Sequence, residues 1–87
     1  MNPTITDWRE KRVWLVGASS GIGAAVAEEL ARRGARVALS ARRIEKLQEL
    51  AIQDAMLLPC DATDTASIAS ARAALIAAWG GVDLVIY

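Results

Sequence analysis

The 87-residue sequence predicts an α/β fold, a doubly wound parallel sheet built in the order β-α-β-α-β-α-β with strand order 3-2-1-4. Three observations predict it. The runs 12–16, 36–40, 55–59 and 83–87 are near-continuously apolar, as in parallel strands covered on both faces. Between them lie three stretches with apolar residues at helical spacing. The first strand-to-helix junction carries Gly17, Gly21 and Gly23, spaced Gly-x-x-x-Gly-x-Gly. Crossovers between parallel strands are right-handed in nearly every case, so helices cover both faces and the fourth strand lies on the free flank of the first.

Each element has its own signal. Residues 1–11 are polar, carry Pro3, Asp7 and Glu10, and form a leader whose Trp8 folds back on the domain surface. The first strand is Arg12 to Val16, where core filling accounts for the bulky Trp14. A helix begins near Ile22, places Ile22, Val26 and Leu30 on one stripe, and ends at Gly34 as its C′ residue. After the second strand, Ile44, Leu47, Leu50 and Ala51 share a helical face. The third helix begins at Thr63 or Asp64, either of which can cap it, and carries Ile68, Ala71, Leu75 and Trp79 before Gly80-Gly81 stops it.

Composition narrows the function. A hydrophobic fraction of 54% with 23% charged residues is that of a globular chain, so disorder is not expected. A chain this short buries only about 60–65% of its unfolded surface, which makes one lean domain at most. Ten basic and ten acidic residues cancel, which argues against nucleic acid as a partner. No apolar stretch reaches the length of a membrane span, and the start lacks the apolar core of a secretion signal. Cys60 is the single cysteine, so no internal disulfide forms and the cytoplasm is the expected compartment. With no histidine in the chain, Cys60 has no catalytic partner and reads as a small buried hydrophobe rather than a metal ligand or nucleophile.

The glycine loop carries the chemistry. Gly17 can turn the chain off the strand, Gly21 lets backbone approach a phosphate, and Gly23 lets the helix pack closely on the sheet. Ser19 and Ser20 can add hydroxyl donors, and the first N–H groups of the helix face the anion. A glycine triplet alone is equally a plain turn. Set between a buried strand and an amphipathic helix, with a second strand following, it indicates dinucleotide binding on a Rossmann-like sheet.

Val16-Gly17-Ala18-Ser19-Ser20-Gly21-Ile22-Gly23 resembles the cofactor loop of the short-chain dehydrogenase/reductase superfamily, usually Thr-Gly-x-x-x-Gly-Ile-Gly. Val16 stands where the family commonly has threonine, a departure that removes one side-chain hydrogen bond and none of the glycines. The resemblance spans about 12–87 and implies a partial Rossmann NAD(P)-binding domain, the front half of a typical member, truncated after the fourth strand. It also implies hydride transfer between nicotinamide and a small-molecule carbonyl or alcohol, in an intact protein that is a homo-oligomer. The family's catalytic serine, tyrosine and lysine find no counterpart here. Tyr87 matches a strand end, not the catalytic tyrosine. The piece alone is therefore expected to be inactive. The alternative is a non-catalytic dinucleotide-binding sensor or interaction module, against which stands the abrupt apolar ending Leu84-Val85-Ile86-Tyr87, an open-edge hazard.

Cofactor choice turns on the end of the second strand. NAD-selective members of the family place an acid where Ala41 stands, whereas a basic residue such as Arg42 resembles the NADP-selective ones. Arg42 can make a charge-assisted contact with the 2′-phosphate, Ser40 can add a neutral hydrogen bond, and Arg43 stacks on adenine or faces solvent. NADP(H) is thus the expected cofactor, with NAD(H) the alternative. Against this, Arg42 and Arg43 are also plain solvated residues at a helix start. By the same resemblance Asp61 accepts a bond from the adenine amino group and Ala62 lines the ring pocket. The competing role for Asp61 is a helix cap. Asp83, at the fourth strand, matches a family aspartate with a structural role.

Overall fold

The computed structural model describes residues 8–17, 21–49, 52 and 54–86. Four parallel strands, β1 (Arg12–Val16), β2 (Arg36–Ser40), β3 (Met56–Leu57) and β4 (Leu84–Ile86), alternate with α1 (Gly21–Arg32), α2 (Ile44–Glu49) and α3 (Thr65–Trp79). The sheet runs β3-β2-β1-β4, the order expected. Register sets Val13 beside Val37 and Leu84, and Val16 beside Ser40. The chain steps outward from β1 to β3, then crosses back along α3 to the other flank of β1. The switch point therefore lies between β1 and β4, at the exit of the glycine loop.

Side chains alternate across the strands, so each strand feeds two cores. Val13, Leu15, Val37 and Leu39 face Ala27 and Leu30 of α1 and Leu47 of α2. Trp14, Val16, Ala38, Leu58 and Cys60 face Ala71 and Leu75 of α3. Trp8 packs at the margin of the first cluster, as expected of a leader folding back. Leu50, Ala51 and Tyr87 lie outside the described residues.

Two expectations need correction. Ile22 does not join the α1 core stripe; it is 83% exposed. With 3.6 residues per turn, each four-residue step rotates about 40°, so a stripe through Val26 and Leu30 has swung away from the sheet by Ile22. The third strand is shorter than 55–59 and spans Met56–Leu57; Pro59 costs its ladder nothing, because on this edge strand the amides of Leu58 and Cys60 face β2 and position 59 faces away. Hydrogen bonding continues past it, from Leu58 N–H to Leu39 C=O (2.8 Å) and from Cys60 N–H to Ala41 C=O (2.9 Å).

The helix ends are as the sequence suggested. Gly34 has φ +89°, its N–H donates to Ala31 C=O (3.0 Å), and Ala35 N–H donates to Leu30 C=O (3.0 Å), a Schellman closure of α1. Asp64 caps α3, its Oδ1 accepting from Ala66 N–H at 3.0 Å and Ser67 N–H at 3.5 Å. Asp83 is structural. Its carboxylate takes Arg12 N–H (2.8 Å) and the Arg12 guanidinium (3.1 and 3.3 Å), which joins β4 to β1. Those bonds hold its pKa down at about 2. Among the described residues no helix is long and apolar enough to cross a membrane.

Candidate cofactor-binding site

A parallel sheet delivers all its strand exits to one edge, and the candidate site is built there. Gly17 leaves β1 with φ +83°, a left-handed conformation that favours glycine. Its N–H donates to Ser40 C=O at 2.7 Å, so the start of the loop is tied to the end of β2 by main chain. Gly21 opens α1, and among the described residues no atom beyond its chain neighbours and its own helix backbone lies within 4 Å of where a side chain there would begin. Gly23 is half-buried on the same first turn and Ile22 beside it is open to solvent. Ser19 and Ser20 lie outside the described residues.

From the ends of β2 and β3 comes an open cleft of about 310 Å³ lined by Gly17, Ala41, Arg42, Arg43, Lys46, Cys60 and Ala62. Thus Arg42, Arg43 and Ala62, picked out separately in the sequence, share one cavity with the first loop glycine. Arg42 is well exposed and its Nε lies 4.0 Å from Asp61 Oδ2, a loose ion pair at the cleft rim. Arg43 is differently engaged, its Nε donating to Glu45 Oε1 at 3.0 Å. That ion pair, with a bond from its own main chain ranking first, lowers the pKa of Glu45.

Asp61 is not the cap. Asp64 takes that role, leaving Asp61 Oδ1 to accept from Thr63 Oγ1 (2.6 Å) and Thr63 N–H (2.9 Å). These bonds, with the charge of Arg42 behind them, hold its carboxyl below the usual range. Asp61 N–H in turn donates to Ser67 Oγ (2.9 Å), so α3 fixes the turn that carries it. Oδ2 is the oxygen left facing Arg42.

Ser40 departs from expectation. Its side chain is fully buried, and its Oγ accepts the indole N–H of Trp14 at 2.7 Å. The hydroxyl therefore faces the core rather than the cleft. Register explains this: Val16 stands opposite Ser40 and Trp14 opposite Ala38, so Trp14 and Ser40 are diagonal neighbours on one face. A buried tryptophan needs an acceptor for its N–H, and that need was the available signal. Lys46 also lines the cleft, and no sequence signal marks it, because a lone lysine on a short helix looks like any solvated residue. Cys60 is a buried free thiol, as expected. Among the described residues no group of three or more His, Cys, Asp or Glu could hold a metal ion.

The site fits a dinucleotide on its own geometry: open space over Gly21, a helix N-terminus at the loop, and cations at the far end of the cleft. Comparison with known proteins agrees. Residues 11–87 match the short chain dehydrogenase family. The human protein "Dehydrogenase/reductase SDR family member 7" is 37% identical over 84 residues, covering 85% of this chain and 25% of that protein. The crystal structure of a metagenomic short-chain oxidoreductase in complex with NADP superposes with a TM-score of 0.83 at 35% identity, over 92% of this chain and 38% of that one. The crystal structure of NADH-dependent reductase A1-R′ complexed with NAD gives a TM-score of 0.76 at 31% identity, over 94% and 37%. This chain therefore spans about a quarter to two-fifths of the length of these relatives. On its sequence, its sheet order and its loop, the chain belongs to the short-chain dehydrogenase/reductase family.

Proposed function

We propose that these residues form the cofactor-binding part of an NADP(H)-dependent oxidoreductase acting on a small carbonyl or alcohol. The bound cofactor would supply or accept the hydride. This chain's residues bind and orient it. The first N–H groups of α1 and the bare backbone at Gly21 receive the pyrophosphate, Asp61 and Ala62 the adenine, and Arg42 the 2′-phosphate. One observation carries the choice of cofactor: an arginine lines the cleft at the exit of β2, next to the small Ala41, where an acid would repel a 2′-phosphate. The NADP complex of a similar short-chain oxidoreductase supports it, while the NAD complex of another marks the competing choice.

Catalytic groups would come from the remainder of a full-length protein. The 87 residues by themselves are expected to bind without turnover. We further infer a cytoplasmic homo-oligomer, on the buried free thiol and on family habit. The decisive experiment is calorimetric titration of full-length protein with NADPH and NADH. NADPH should bind about tenfold or more tightly, and Arg42→Ala should remove most of that difference, since a charge-assisted contact contributes about 1.5–3 kcal/mol. Equal affinities in the wild type would refute the assignment.

A further inference from the structure

We infer that Lys46 is a second specificity-determining residue, which completes with Arg42 a two-cation clamp on the 2′-phosphate; this rests on the NADP-binding function proposed above. A phosphate monoester near neutral pH carries a charge of about −1.5 to −2. Arg42 alone does not match it, because Arg42 already stands 4.0 Å from the Asp61 carboxylate. Arg43 is the nearest further cation in sequence, yet its Nε is bound to Glu45 at 3.0 Å.

Lys46 is the third cation lining the same cleft. Its N–H donates to Arg43 C=O at 3.1 Å, and that turn brings the chain back to the cleft wall that Arg42 begins. The lysine lies on the exposed side of α2, while Leu47 beside it is buried in the core. An ammonium is a compact charge with three rotatable donors on a flexible stem, suited to meet a phosphate oxygen without the planar alignment a guanidinium demands. The cleft thus divides its cations by degree: Arg43 gives its Nε to Glu45 at 3.0 Å, Lys46 reaches that carboxylate only through its charge, and Arg42 and Lys46 are the pair assigned to the ligand.

The test compares Lys46→Gln and Lys46→Arg with Arg42→Ala in full-length protein, by calorimetry with NADPH and NADH. Lys46→Gln should weaken NADPH up to about fivefold, the upper end for an exposed ion pair, and leave NADH unchanged. Lys46→Arg should restore NADPH binding. In ³¹P NMR of bound NADP⁺, the apparent pKa of the 2′-phosphate should rise in Lys46→Gln and return in Lys46→Arg. If Arg42→Ala lowers the NADPH preference while Lys46→Gln does not, the lysine assignment fails and the cofactor assignment stands. Equal weakening of both cofactors by Lys46→Gln also overturns it. If wild type shows no NADPH preference, both fall together.

Discussion

Ser40→Ala separates a structural role from a binding role at one residue. In the folded protein the indole N–H of Trp14, itself 1% exposed, gives its bond to Ser40 Oγ at 2.7 Å. Alanine changes the packed volume little but strands that donor away from water. An unpaired buried donor costs about 1–3 kcal/mol, against which a lost hydroxyl volume is minor. The assay is equilibrium urea unfolding, run as a cycle with Trp14→Phe. Once the indole is gone, Ser40→Ala removes no partner, so its cost should fall and the two changes should couple by about 1–2 kcal/mol. Cofactor titration of Ser40→Ala should show the wild-type ratio of NADPH to NADH affinity, because the hydroxyl does not reach the cleft. Additive costs within about 0.3 kcal/mol would refute the buried bond. A changed cofactor ratio would return Ser40 to the binding site.

Two further outcomes follow from the ends of the elements. Asp83, with a folded pKa near 2 against 3.8 in the unfolded chain, stabilises the fold fully above about pH 4. That contribution is lost as pH falls toward 2, so the stability gap between wild type and Asp83→Asn should narrow over that window in acid-titrated unfolding; a constant gap would count against the Arg12 pairing. Asp64→Ala should cost about 1 kcal/mol in urea unfolding through loss of the α3 cap, with cofactor affinity unchanged; a loss confined to cofactor binding would reverse the roles of Asp61 and Asp64.

Much of the architecture was legible because the relevant signals are local. Apolar runs broken by glycine placed β1 and β2 at their observed bounds, and Gly34 and Gly80 ended their helices through backbone conformations few other residues adopt. The 68, 71, 75 and 79 spacing of α3 matches its buried side because every member falls within one narrow arc. What escaped was non-local. Whether Ser40 faces ligand or core depends on a tryptophan 26 positions earlier and on the register of two strands. Asp61 and Asp64 are equivalent as capping candidates in sequence, and only the course of the turn between β3 and α3 assigns one to the helix. Lys46 becomes notable only once the cleft brings it beside Arg42.

The tether from Gly17 N–H to Ser40 C=O uses no side chain at either end. It survives any replacement at the neighbouring positions that preserves the strand. Under the proposed function, the grip on the pyrophosphate and the choice between the two nicotinamide coenzymes would therefore rest on separable parts of the same edge. On the proposed assignment, retargeting the protein from one coenzyme to the other would begin at Ala41, Arg42 and Lys46, which line the cleft, and leave the main-chain tether untouched.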